Sequence, residues 1–188
     1  AANDEATTTI SADATDVATV GIVSADATVT EGGTASYTVS AAGSFDSDAV
    51  LTVAYSIWDV GTEPGDYTDT TGGTLTLNDT NSFQATIDVA ATDDGIVEAD
   101  EAFTMTLDSV SGLSSGLSVD AANDEATTTI TDNDSAQLTV SSATASETDG
   151  TADFTVTLDN DVEGGFSVDF GVDVDSVASL TAESGDVY

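Results

Sequence analysis

Apolar and polar residues alternate along most of this chain. Thr, Val, Phe and Tyr recur at every second position, a period typical of half-buried strands. The runs are "ASYTVS" (35–40), "LTVAYSI" (51–57), "TLTLN" (74–78), "FQATIDVA" (83–90), "AFTMTLD" (102–108), "ADFTVTLD" (152–159) and "FSVDFGVDVD" (166–175). Clusters of Gly, Asp, Asn and Ser separate them, and no long stretch has a 3.6-residue apolar period. The pattern predicts an all-β protein, an antiparallel sandwich with almost no helix.

The alternation also assigns side chains to faces. Val53, Tyr55 and Ile57 share one face of the 51–57 strand, which leaves Trp58 on the other face or at the strand end. For Trp58, core or interface packing is favoured over stacking against a sugar. A second run places Phe103, Met105 and Leu107 in the core.

A repeat organises the chain. "AANDEATTTI" occupies residues 1–10 and returns unchanged at 121–130. The sequence that follows the second copy has the same plan as "VGIVSADATVTEGGTASYTVS" (20–40). We therefore predict a window cut from a tandem array. Residues 1–19 would be the last strand of a preceding repeat plus a linker, 20–134 a complete domain, and 135–188 the first half of the next.

The charge of the chain limits its partners. It has 36 Asp and Glu residues and no Lys, Arg or His, a formal net charge of −36. Binding to nucleic acid or to an anionic membrane surface requires Lys and Arg, so both are excluded. No apolar run is long enough to span a bilayer, which predicts no membrane insertion. Self-repulsion of this size opposes a compact state, and the expected counter-partner is a cation.

Two acidic segments are candidates for binding that cation. "DDGIVEADE" (93–101) places five carboxylates within nine residues, and "TDND" (131–134) follows the second decapeptide. Ca²⁺ takes about 6–8 oxygen ligands from flexible loops, although a solvated acidic loop remains the alternative for either segment taken alone. No EF-hand pattern is present. Without His, Lys, Arg or Cys the chain lacks most groups that catalysis uses, so it is not expected to be an enzyme.

Four segments in order, "VTEGGTASYTV", "GDYTDTTGGTLTL", "ATDDGIVEADEAFTMTL" and "ATTTITDND", resemble the Calx-beta domain. The resemblance implies an immunoglobulin-like β-sandwich whose loops bind Ca²⁺ at one pole. Asn133 and Gly95 stand where the family has acidic residues, which implies fewer ions or weaker binding. The positions that correspond to calcium ligands are Glu31, Asp66, Asp94, Glu98, Glu101, Asp132 and Asp134, with Ile96 as a backbone-carbonyl ligand.

The resemblance and the charge together indicate a function. We expect a calcium-binding structural repeat of a large bacterial or archaeal surface protein, in which Ca²⁺ stiffens the domain junctions. Such a protein is extracellular, and copies of itself in an adhesin, matrix fibre or filament are the expected partners. A glycan- or protein-binding adhesin module, with Trp58 contacting a glycan, is one alternative. A calcium sensor is another.

Overall fold

The computed structural model describes residues 17–62, 65–68, 71–113, 115–146 and 148–171. The first decapeptide and the predicted strand beyond residue 171 lie outside them. The chain divides into two units. The first takes the described residues up to Asp94 together with Asp100–Asp132, and the second takes Gly95–Ala99 with the described residues from Asn133 onward.

The described residues of the first unit form nine strands. In chain order they are β1 (Val17–Ser24), β2 (Thr28–Thr30), β3 (Thr34–Ser44), β4 (Leu51–Val60), β5 (Gly73–Leu77), β6 (Gln84–Ala90), β7 (Glu101–Ser111), β8 (Leu117–Val119) and β9 (Glu125–Thr131). One sheet has the order β6-β3-β1-β8 and the other β2-β9-β7-β4-β5. A 3-10 turn at Asp79–Asn81 is the one helical element among the described residues, and none of their helices is long and apolar enough to cross a membrane.

The core lies between the two sheets and follows the predicted alternation. The four-stranded sheet contributes Val20, Tyr37 and Val39, and the five-stranded sheet contributes Phe103 and Met105, all fully buried. The sandwich and the Phe103, Met105 and Leu107 core positions are thus confirmed. Two strand pairs differ from the antiparallel expectation, because β1 pairs with β8 and β2 with β9 in parallel. Parallel pairing needs a long crossover, which local turn signals do not reveal.

Trp58 is the main exception to the predicted burial. This residue is 61% exposed, so the core alternative for it is wrong. Tyr55 and Ile57 on the same strand pack against the core, as the alternation predicts. Trp58 lies on the opposite face of β4, and none of the described strands of the first unit covers that face.

A chain of buried hydroxyl groups joins the two sheets. The Tyr37 hydroxyl on β3 donates to Oγ1 of Thr128 on β9 at 2.6 Å. Thr128 in turn donates to the Asp26 carbonyl at 2.9 Å. Both side chains are fully buried, so these bonds satisfy polar groups that would otherwise destabilise the core.

Alkaline pH should destabilise the first unit through Tyr37. Burial raises the pKa of Tyr37 above its ordinary value of 10.0, and this outweighs the lowering effect of the hydrogen bonds with Thr128 and Ser24. Because the folded state holds the proton more tightly, this stability is fully present below pH 10.0 and is lost as pH rises through the folded pKa. We expect Tyr37→Phe to flatten the fall of the urea midpoint above that pH. An equal fall of the urea midpoint with pH in both proteins would show that Tyr37 is not the group responsible.

The second unit contains a single two-stranded sheet among its described residues. Its strands β10 (Leu138–Val140) and β11 (Val156–Leu158) pair in antiparallel fashion. The predicted strand at 152–159 is therefore confirmed only in part, and the described portion of 166–175 contains no strand. Phe154 and Phe170 are 62% and 92% exposed. Alternating sequence forms a stable strand only where a second layer covers its apolar face.

Candidate metal site

Three acidic residues, Glu31, Glu101 and Asp132, lie at one end of the five-stranded sheet. Because β2 runs parallel to β9, Glu31 after β2 and Asp132 after β9 leave the sheet at the same end. The Glu31 amide donates to the Thr131 carbonyl at 3.1 Å, which continues the pairing one residue further. β7 begins at this end, where Glu101 pairs with Ile130.

The other sheet brings the 92–94 loop to this end. β6 finishes opposite the start of β3, where Ala90 pairs with Thr34. The Ala91 amide then donates to the Gly33 carbonyl at 2.9 Å, so the loop runs beside the turn that carries Glu31. Asp93 and Asp94 follow directly.

Asp66 joins the same group of loops. The Thr92 amide donates to the Asp66 carbonyl at 2.7 Å, and the Thr92 hydroxyl donates to the Gly65 carbonyl. We call this end of the first unit, with Glu31, Asp66, Asp93, Asp94, Glu101 and Asp132, the acidic pole.

The acidic pole contains a close pair of carboxylates. One oxygen of Glu31 and one of Asp93 lie within 4.8 Å of each other. Glu31 is only 9% exposed, whereas Asp93 faces solvent. Gly32 holds this arrangement in place, since its φ of +74° favours glycine and an added Cβ would stand 3.3 Å from the Asp93 Cβ. The neighbouring backbone therefore packs directly against the Asp93 side chain.

The spacing of the pair fits a hard divalent cation. Ca²⁺ binds oxygens at about 2.3–2.6 Å, so two oxygens on one ion lie at most about 5 Å apart. The oxygens of Glu31 and Asp93, which lie within 4.8 Å of each other, meet this requirement. No Lys, Arg or His exists anywhere in the sequence to compensate the two negative charges. An acidic cluster of this geometry can hold a metal ion.

Five predicted ligand residues of the first unit come to the acidic pole: Glu31, Asp66, Asp94, Glu101 and Asp132. The other three, Ile96, Glu98 and Asp134, belong to the second unit. There Val97 forms a bridge with Val162, and its amide donates to the Asp161 carbonyl at 3.0 Å. The segment around Val97 is thus positioned by residues of the second unit.

Asp93 is the residue that the sequence interpretation missed. The family resemblance points to its neighbour Asp94, whereas a carboxylate oxygen of Asp93 lies close to one of Glu31. A signal was present in the alternation of β6. Ile87, Val89 and Ala91 are buried, and continuing that period of two gives Asp93.

The comparison with protein families agrees with the four sequence motifs. The family model described as the Calx-beta domain matches residues 13–134 and residues 131–186. A search of curated proteins found no match. The family match covers the whole first unit as described, with the acidic pole inside it.

Proposed function

From the premise that this chain belongs to the Calx-beta domain family, we propose that it is a calcium-binding structural repeat of an extracellular adhesin, matrix fibre or self-assembling filament. Family membership associates the chain with calcium binding and with structural or adhesion-like modules. Such modules are generally not enzymes. We propose in addition that the metal is Ca²⁺ and that the repeats assemble into an adhesin, fibre or filament.

The Glu31–Asp93 pair is the observation that carries this proposal. Bringing two carboxylates within 4.8 Å costs electrostatic energy, and the cost grows when one of them is buried as Glu31 is. A divalent cation converts that repulsion into attraction. Since the chain has no basic side chain, an external cation is its means of compensating the charge locally.

The proposed ligands extend beyond this pair. Asp66, Asp94, Glu101 and Asp132 supply further oxygens from the same end of the first unit. The family resemblance adds Ile96, Glu98 and Asp134, which lie within four residues of Asp94 or Asp132 along the chain. A total of six to eight oxygens is what Ca²⁺ requires.

The proposed mechanical role follows from the position of "TDND". Residues 131–134 connect the last strand of the first unit to the second unit. Without metal, neighbouring carboxylates in such a connection repel one another and favour many conformations. When the same groups become ligands of one ion, the connection stiffens. Calcium would thereby turn flexible repeats into a rigid extracellular fibre built from tandem copies.

The affinity for calcium tests this role. We expect calorimetric titration of metal-free chain to give a dissociation constant of about 10⁻⁴–10⁻³ M, the range of extracellular modules. A constant of about 10⁻⁷–10⁻⁵ M would instead support the sensor alternative, because intracellular signals vary in that range. Absence of any calcium-specific heat, with magnesium as the comparison ion, would overturn the proposal.

A further inference from the structure

The outer face of the five-stranded sheet carries an exposed aromatic side chain outside the acidic pole. Trp58 on β4 is 61% exposed, and Val60, two residues along the same face, is 54% exposed. Across the sheet, Trp58 pairs with Thr104, and Thr104 pairs with Thr127. The two threonine hydroxyls are hydrogen-bonded at 2.8 Å. An apolar patch therefore lies in register with a row of hydroxyl groups.

A hydrogen-bond relay holds the indole in place. Nε1 of Trp58 donates to the Ser56 hydroxyl oxygen at 3.1 Å. Ser56 in turn donates to Oδ1 of Asp108 at 2.8 Å. Because the N–H already has its partner within the protein, the ring is oriented before any ligand arrives and its π surface faces solvent.

A β-bulge supplies the carboxylate of this relay. Ala54 pairs with Ser109 and Tyr55 pairs with Leu107, so Asp108 is the extra residue in β7. Bulges commonly redirect a side chain. Here the bulge places a negative charge on the same outer face as Trp58, two hydrogen bonds from its ring.

We propose that Trp58 anchors a docking site for a basic protein segment, with an arginine guanidinium stacked on the indole. Among aromatic side chains, Trp forms the strongest cation–π interactions. The planar guanidinium of arginine also stacks on aromatic rings and binds carboxylates. Asp108 supplies the negative charge, and the aliphatic stem of the arginine packs on Val60. The hydroxyl oxygens of Thr104 and Thr127 accept from the remaining N–H groups.

Charge complementarity decides between a cationic segment and a carbohydrate. A net charge of −36 attracts a basic partner over a long range, whereas a neutral glycan gains nothing from that field. None of the residues of this site is a proposed calcium ligand. Loss of calcium binding and loss of arginine docking can therefore be told apart by variants at different residues.

The single tryptophan of the chain makes the test direct. Trp58 is the sole Trp, so its fluorescence reports this site alone. We expect acetyl-Gly-Arg-Gly-Arg-Gly-amide to change that fluorescence at lower concentration than the lysine counterpart of equal charge. By calorimetry, Trp58→Ala should weaken binding of the arginine peptide about two- to fivefold. Trp58→Phe, which keeps an apolar ring, serves in its place if the alanine variant does not fold.

A matched pair of charge variants separates docking from general attraction. Asp108→Asn retains an oxygen that accepts from Ser56 but removes the charge. Asp88→Asn does the same on the other sheet, where Ser36 donates to Oδ1 of Asp88 at 2.7 Å. Docking predicts that only Asp108→Asn weakens binding. Equal effects of both variants, or equal binding of the two peptides, would overturn the proposal.

Tighter binding of a neutral cello-oligosaccharide that is lost in the Trp58 variant would also overturn it and identify a sugar-binding surface.

Discussion

Removal of calcium by a chelator should lower the melting temperature of the first unit by about 10 °C or more at constant ionic strength. A ligand at about 100 times its dissociation constant stabilises the folded state by about 2.7 kcal/mol. For a domain of about 100 residues, 1 kcal/mol corresponds to about 4–8 °C. Because the unfolded chain has no preformed site, this binding energy contributes almost entirely to folding.

Circular dichroism at a wavelength sensitive to β-structure measures this shift. Sodium chloride is added to the chelated sample so that general screening of the 36 carboxylates is the same in both. A magnesium sample provides the second comparison, since Mg²⁺ requires a stricter octahedral geometry than flexible loops supply. Identical melting in all samples would show that bound calcium does not hold the acidic pole together.

The first unit shows how much of the fold alternation alone predicts. Tyr37, Phe103 and Met105 are buried where a period of two places them, and Tyr55 and Ile57 face the core. Burial of this kind is a local property of a strand, because successive side chains point to opposite faces. The same argument leaves Trp58 on the other face or at the strand end, but it does not predict that this side chain is 61% exposed.

Pairing between distant segments could not be predicted in the same way. A Gly-Gly pair between two strands is typical of a hairpin turn, yet Gly32 and Gly33 join β2 in one sheet to β3 in the other. Glu31 and Asp93 are 62 positions apart in the sequence. They come close because β2 pairs with β9 in one sheet and β6 pairs with β3 in the other. Residue types and motif order thus indicate a metal site. They do not identify Glu31 and Asp93 as its closest pair, because that contact depends on strand register.

The second unit marks another limit of pattern-based prediction. "ADFTVTLD" alternates as clearly as the runs of the first unit, yet the structure has a strand only at Val156–Leu158. Phe154 remains 62% exposed, while Tyr37 of the matching "ASYTVS" run is fully buried. The two runs differ in what covers them. Strand sequence therefore becomes strand structure only with a second sheet to pack against.

Replacing Glu31 with glutamine should change stability in opposite directions with and without calcium. Glutamine has nearly the same shape and keeps one carbonyl oxygen but removes the charge beside Asp93. Two unit charges within 4.8 Å of each other repel by roughly 3 kcal/mol or more at an effective dielectric constant of about 20, and the exposure of Asp93 reduces this repulsion. In chelator we therefore expect Glu31→Gln to stabilise the first unit by about 1–2 kcal/mol.

With saturating calcium, Glu31→Gln should instead be less stable than the wild-type protein. The variant has lost a charged ligand, and we expect its calcium affinity to fall about tenfold or more, the equivalent of about 1.4 kcal/mol or more. Asp46→Asn is the matched control, since Asp46 is exposed beyond the far end of β3 and its loss changes the net charge equally. Asp46→Asn should shift the melting curve slightly and in the same direction in chelator and in saturating calcium. If Glu31→Gln behaves like the control, Glu31 does not bind the ion; if it destabilises the chelated protein too, its buried carboxylate serves the fold rather than the metal.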